Sequence, residues 1–426
     1  MTPNKSVDIR VWLDVTAGVV GILLLVQFLT GILLAFYYVP SVDHAHTTVS
    51  YIEKIVSSGS WLRSLHHYGS QWLALFAFLH VVRLFWSEAY VNRRVHWIAA
   101  VLLLMLVLAG GGTGYSLPWD ARAFFSTRVA EGLMAGLPLA GRNARLWLLG
   151  GNDISTITLS RFFALHVLVI PFALLGVIGW WLARKACWSN VNRNAIAGAV
   201  VFVALAIWCL QFPAPLGPPV ETMGSEYLPR PGAQFLWLYQ LLKYVPGGLG
   251  SLVGVVLPGI GLAILLLLPY LKAKRVVGST VLGAFAAIAL TMTIAAHVSD
   301  RRDPQLARQV TDEASWRQEP FNPQLLQSQQ RDPANNGPII GGPPLKYIQY
   351  CANCHGLRGE GGQQGPLKFP PLLNVAAKPR RTVPDIVELL KDPAAYGLQP
   401  PMRSFSDKMS ATEMKEIAEF VVRLKS

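Results

Sequence analysis

Two groups of residues in this sequence have the types and spacing to hold iron. In Cys351-Ala-Asn-Cys354-His355, two thiols stand three positions apart and an imidazole follows directly. Such thiols add to the two vinyl groups of a haem, and the histidine ligates its iron from the proximal side. Zinc is the chemical competitor, but it would want a second ligand pair. The other two cysteines, Cys187 and Cys209, lie in or beside apolar stretches and read as small packing residues. Met402 follows His355 by forty-seven positions in a Pro-Pro-Met string and is the expected distal ligand. A thioether opposite histidine raises the potential, which suits electron transfer. Met409 and Met414 are alternatives, and Met414 falls in an expected closing helix over 411–424, where it would pack the core.

The second group is a set of histidines in apolar stretches. His66 and His80 are fourteen residues apart, and His166 opens another stretch. Fourteen residues is close to four helical turns, so His66 and His80 share a face about 21 Å apart along the axis. A histidine inside a membrane helix is costly unless it has a partner. Three at these spacings point to a helical bundle holding b-type haem, with one ligand position near each membrane surface. His166 pairs with His66. The position that should answer His80, fourteen or fifteen residues beyond His166, is Trp180 or Trp181. Three outcomes stay open for a second haem. It is absent, with the tryptophans filling its space; it is five-coordinate and open to a small ligand or quinone; or another residue closes the coordination, Cys187 and His96 being nearest in sequence.

The elements that must position these residues are membrane helices. Of 426 residues, 52% are hydrophobic and 14% charged, a membrane-protein composition. Seven apolar runs are long enough to span a bilayer: 12–37, 69–88, 97–117, 162–183, 195–212, 249–271 and 277–297. The first follows a polar start with no small-residue cleavage site after it, and reads as a retained helix. Lys5, Arg10, Arg93, Arg94, Arg184, Lys185, Arg193, Lys272, Lys274 and Arg275 all fall on one side, against Asp8 and Glu88. The positive-inside rule makes that side cytoplasmic. Seven crossings then leave the C-terminus outside a bacterial cytoplasmic (inner) membrane, where haem c is attached. The net charge of +13 is largely this topological signal and implies no nucleic-acid partner.

The expected fold is an all-α membrane protein followed by a small all-α cytochrome c domain. Residues 1–190 form the haem-binding four-helix bundle, and 191–298 three further transmembrane helices. Residues 299–344 are polar and rich in Pro, Gln, Asp and Arg, and read as a loosely held linker. Residues 345–426 recover a globular pattern. The loops 38–65, 118–160 and 213–248 are long and face outside, and long loops in a compact protein usually have a function.

At GILLAFYY (31–38), RSLHHYG (63–69), LHVVR (79–83), TGYSLPWD (113–120), RFFALHVLVIP (161–171) and PRPGAQFLWLYQLLKY (229–244) the chain resembles the cytochrome b of quinol–cytochrome c oxidoreductases, including the chloroplast-type branch. The resemblance covers the whole membrane domain. It implies that Arg63 and Arg83 are haem-propionate partners, and that Gly69 and Gly114 stand where backbone approaches a porphyrin or quinone. It implies an outer quinol site lined by TGYSLPWD, with Tyr115, Pro118 and Trp119 as contacts. It also implies a Rieske-type iron–sulfur partner, a soluble periplasmic electron carrier and a homodimer.

The chain departs from the family at two places. One is the missing answer to His80. The other is Pro231-Gly232-Ala233-Gln234, where the family has Pro-Glu-Trp-Tyr. The family's glutamate is held to accept a quinol proton, and here Glu226 or Glu221 upstream would have to replace it or stand as ordinary loop carboxylates. Three functions are therefore weighed. The first is the electron-transfer subunit of a cytochrome bc-like oxidoreductase. The second is a conduit and membrane anchor for another periplasmic redox enzyme, without bifurcation. The third is a structural subunit with vestigial haem sites, against which the intact CANCH string and the His66/His166 pair argue. Fold alone does not choose among them.

Overall fold

The computed structural model describes residues 15–424 apart from 152–153, 184–190, 221–226, 229, 273, 319, 322–343, 356–358, 360, 365–366, 380, 399–401 and 403. The chain divides into two compact units, one of residues 1–217 and 229–321 and the other of 218–228 and 322–426.

The first unit is helical. Its elements are α1 (Thr16–Ala35), α2 (Ala45–Lys54), α3 (Gly59–Trp86), α4 (Arg94–Tyr115), α5 (Ala121–Ala135), α6 (Gly141–Leu149), α7 (Thr156–Ala183), α8 (Val191–Gln211), α9 (Ala233–Leu242), α10 (Gly247–Tyr270), α11 (Lys274–Arg301) and α12 (Pro304–Gln318). Among the described residues, six of these (α1, α4, α7, α8, α10 and α11) are long and apolar enough to cross a bilayer. Their outward side chains are apolar and exposed, Phe172, Leu210 and Val276 among them, as lipid contact requires.

Helix α3 is the expected seventh span, and it differs from expectation in extent. It begins at Gly59, ten residues before the apolar run, and so carries His66 and His80 on one continuous helix. Arg63, His66, His67, Gln71, His80 and Arg83 lower its hydropathy; the bundle gives up apolarity where it holds polar groups. Helix α1 packs on α3, α3 on α4, and α4 on α7, while α8 lies against α1 and α3. Val19, Leu23, Leu24, Leu65, Leu73, Val107, Ile170 and Leu174 form one buried cluster between these helices.

Helix α7 contains a wide, π-type turn over Leu165–Val169. Pro171 explains it. Proline has no N–H to give the carbonyl four residues back, and a one-residue expansion of the turn accommodates that loss. The expansion also shifts the register of everything beyond it by one residue.

Residues 299–318 correct the expected linker. They complete α11 and form α12. The signal was Asp303-Pro304: the Asp303 carboxylate accepts from the N–H groups of Gln305 (3.0 Å) and Leu306 (3.2 Å), and proline occupies the first helical position. Two ion pairs then fasten α12 to the rest of the unit, Glu313 to Arg122 and Arg317 to Glu53.

The second unit contains α13 (Leu345–Tyr350), α14 (Ala352–His355), α15 (Val383–Lys391) and α16 (Ala411–Arg423). Capping boxes start α15 at Thr382/Asp385 and α16 at Ser410/Glu413. Tyr347 of α13 is fully buried and meets Phe420 of α16 edge-on, ring centroids 4.8 Å apart. Ile386, Leu389, Leu390, Ile417 and Val421 complete the core. One short antiparallel hairpin, β1 (Gly362–Gln364) with β2 (Leu367–Phe369), adds to the expected helices, Gln363 standing opposite Lys368.

Candidate haem centres

His66 of α3 and His166 of α7 face each other across the bundle. Their ring centroids are 5.9 Å apart and their planes 80° to one another. Two metal–imidazole bonds of about 2 Å each, plus the ring radii, require about 6 Å. The outer nitrogens are tied back. Thr30 Oγ1 lies 2.9 Å from His66 Nδ1 and donates its own proton to the Val26 carbonyl at 2.6 Å. It therefore accepts from Nδ1–H. His166 Nδ1 lies 3.1 Å from the Gly110 carbonyl, which can only accept. Both rings are thus fixed with Nε2 bare, the tautomer an iron ligand needs.

A cavity of about 600 Å³ surrounds the pair. Gly31 of α1 and Gly114 of α4 line it. A Cβ at Gly31 would come 3.1 Å from His66 Cε1, and one at Gly114 2.5 Å from His166 Cε1. Gly114 thus adjoins the His166 ring, while Gly69 meets the side chain of Gln27, where a Cβ would come 2.4 Å from Nε2. Arg63 lines the cavity and is buried. Its guanidinium pairs with Glu53 at 3.1 Å and donates to the carbonyls of Ala214 (2.5 Å) and Pro215 (3.3 Å). Arg83 lies toward the other end of α3, half-buried, with Arg93 and Arg193 around it. The facing imidazoles, the glycine cradle and the adjacent cation fit a haem.

At the other end of the bundle His80 is held as His66 is, with Thr16 Oγ1 2.9 Å from Nδ1. The ring of Trp181 meets that of His96 edge-on, centroids 5.8 Å apart and planes at 89°. Cys187 lies outside the described residues.

In the second unit, Cys351 is buried and Cys354 half-buried. The N–H groups of Cys354 and His355 both bond back to the Cys351 carbonyl, at 3.1 and 2.9 Å, so the two attachment cysteines and the ligating histidine form one tight turn. His355 Nδ1 lies 3.0 Å from the Pro370 carbonyl, an acceptor only, which again leaves Nε2 bare. These residues fit a covalent haem. Met402 is half-buried in the loop before α16, its N–H bonding to the Leu398 carbonyl. Met409 and Met414 are buried in the core.

Residues 4–183 match the family described as Cytochrome b/b6/petB, and residues 346–425 the one described as Cytochrome c. Over 183 residues the chain is 38% identical to the menaquinol:cytochrome c reductase cytochrome b subunit of Geobacillus thermodenitrificans, covering 42% of this chain and 79% of that one. This chain belongs to the cytochrome b/b6 family. It is also 35% identical to the cytochrome b6 of Prochlorococcus marinus (strain MIT 9215) over 158 residues, 37% of this chain and 72% of that protein. Among solved structures, a chain of a hyperthermophilic respiratory Complex III shares the fold, with a TM-score of 0.51 and 22% identity over 71% of this chain and 87% of that one. The two matched domains carry haem b and haem c and give the protein an electron-transfer role.

Around this cytochrome b cavity the structure sorts the expected quinone contacts. Tyr115 and Pro118 line it, and the Tyr115 hydroxyl donates to the Arg230 carbonyl at 2.8 Å. Trp119 does not line it. It is 1% exposed and packs edge-on against Phe124, 6.0 Å between centroids. Glu221 and Glu226 lie outside the described residues. Pro231, Gly232, Ala233 and Gln234 form the adjoining wall. Asp120 is the single carboxylate among the described lining residues. Its oxygens accept from the N–H groups of Ala123 (2.9 Å) and Gly217 (2.7 Å), capping α5. His67 also lines the cavity, 3.0 Å from Gln71 Nε2. Sequence reasoning passed over it although it adjoins His66, because it falls outside the fourteen-residue spacing.

Proposed function

We propose that this chain is the membrane electron-transfer subunit of a cytochrome bc-like quinol–cytochrome c oxidoreductase, with one haem b between His66 and His166. The observation that carries this reading is the facing imidazole pair whose Nδ1 atoms are both engaged and whose Nε2 atoms are both bare. Bound haem supplies reversible one-electron chemistry. The chain's own residues orient the two imidazoles and hold each as the Nδ1–H tautomer. Arg63 offers positive charge to a propionate. Cys351, Cys354, His355 and Met402 hold haem c in the second unit, outside the membrane by the loop charges. The segment between Phe321 and Leu345 tethers that unit.

Tyr115, Pro118 and the 231–234 wall are the quinone contacts of this reading. A Rieske-type iron–sulfur protein, a soluble periplasmic carrier and a second copy of the chain are its partners. The test is reduction of haem c by a menaquinol analogue in the complex purified from its native membrane. Quinol-driven reduction that is lost in His66→Ala and in His166→Ala supports the reading; unaltered haem b content in both variants sinks it.

One observation favours a second reading, a conduit and anchor without bifurcation. Gly232 stands in the cavity wall where the family's proton-accepting glutamate is expected, and Asp120 is committed to backbone N–H groups. Co-purification of a dehydrogenase or reductase in place of an iron–sulfur partner would select it.

A further inference from the structure

We propose that the His80 end of the bundle holds no haem, so that this chain carries a single haem b. This rests on the assignment of the His66–His166 pair to haem b.

The two ends of the bundle are related by a fourteen-residue translation along each helix, four turns or about 21 Å. The translation takes Thr30 to Thr16 on α1 and His66 to His80 on α3, and both threonine–histidine pairs are made, each at 2.9 Å. It takes Gly31 to Ala17, Gly114 to Ala100 and Gly110 to His96. On α7 the wide turn at Leu165–Val169 adds one residue, so His166 maps fifteen positions on, to Trp181. The structure follows this mapping. Gly110 touches His166 through its carbonyl, and His96 touches Trp181 ring to ring.

Every feature that makes room for a porphyrin at the first end is altered at the second. An indole nitrogen carries a proton and has no lone pair to give a metal, so Trp181 cannot replace the second imidazole. His96 puts a side chain where Gly110 has none, and its ring abuts Trp181. The cradle glycines have become alanines. Ala100 is buried in one apolar cluster with Val81, Trp97, Val101 and Leu104. The cavity around His66 reaches Leu24, Leu73, Val107 and Leu174, each within 7% of full burial, about half-way along the translation. Its lining includes none of Ala17, His80, His96, Ala100 or Trp181. His80 is then a half-buried histidine whose Nδ1 is engaged by Thr16. The chain keeps one half of a transmembrane electron path and lacks the second ligand and the glycine cradle of the other.

The test is the ratio of haem b to haem c, by pyridine haemochrome, in the purified full-length chain and in His80→Ala, His80→Leu and His66→Ala. The expected ratio is 1:1 in the parent and in both His80 variants, with haem b lost in His66→Ala. A parent ratio of 2:1 overturns the proposal, as does loss of half the haem b in both His80 variants with haem c intact. Unchanged haem b in His66→Ala would instead remove the assignment of the His66–His166 pair.

Discussion

The imidazole of His166 lies so close to Gly114 that a single methyl there would stand 2.5 Å from its Cε1. No side chain fits without displacing the ring. Gly31 holds the same relation to His66 at 3.1 Å, where a shift of a few tenths of an ångström suffices. Gly114→Ala is therefore expected to lose most of the haem b and Gly31→Ala a minor part. Haem c, in a separate unit, is expected to be retained in both. Reduced-minus-oxidised spectra of the two variants check this, and equal retention would show that the glycines do not form the cradle.

Thr30 fixes the tautomer of His66. Its hydroxyl gives its proton to Val26 and so accepts from Nδ1–H. Thr30→Val keeps the shape and removes the acceptor. Partners of this kind are worth about 10- to 100-fold in metal affinity, so haem b should pass to a haem scavenger roughly tenfold faster or more. Thr16→Val removes the matching bond to His80. It is expected to leave haem b retention unchanged, because that histidine holds none.

In the second unit, Met402 is the half-buried methionine while Met409 and Met414 are buried. Met402→Leu is expected to abolish the sulfur–iron charge-transfer band and to lower the haem c potential by on the order of 0.1 V, because axial ligands are the main control of potential. Met414→Leu should change neither by a comparable amount. Redox titration of the two variants distinguishes the assignments.

The histidine ligands and the CANCH turn were legible because metal binding imposes spacing, and spacing survives in a bare sequence. The two glycines facing His66 and His166 were legible only in part. Gly114 was identified through resemblance, whereas Gly69, identified in the same way, turns out to accommodate Gln27. Trp119 looked like a site residue because of the string around it; it is buried and packs edge-on against Phe124. Trp181 could be read two ways, as filling the site or facing lipid. The wide turn at Leu165–Val169 decides its register, and Pro171 was the sequence signal for that turn. Helix α12 was missed because its charges suggested a solvated linker. Those charges find partners on α2 and α5, which are remote in sequence.

Glu53 joins that helix to the cavity. It is buried and pairs with both Arg63, at 3.1 Å, and Arg317, at 2.7 Å. Removing one partner of a buried pair costs about 3–5 kcal/mol, because the remaining charge is left uncompensated. Glu53→Gln is expected to release α12 and to speed limited proteolysis between residues 301 and 321 at least tenfold. It should also weaken haem b retention through Arg63. An unchanged cleavage pattern would mean that the Arg122–Glu313 pair alone holds the helix.

His46 gives the same face a pH dependence. Its imidazole is buried at the start of α2, with Nε2 2.9 Å from the Gly217 carbonyl. Burial pushes its pKa below the ordinary histidine value. The Gly217 carbonyl and Asp120 oppose that shift, and Lys54 and Arg63 add to it. The folded protein therefore binds this proton less readily than the unfolded chain, whose histidine titrates near about 6.5. The stability held by neutral His46 is fully present above that value. It is lost progressively as pH falls toward the depressed folded pKa, at up to about 1.4 kcal/mol per pH unit. His46→Gln keeps a donor for the Gly217 carbonyl without a titrating group. Thermal midpoints of the detergent-solubilised protein should fall between pH 7.5 and pH 5.5, and by less in His46→Gln; parallel curves would place the acid-sensitive group elsewhere.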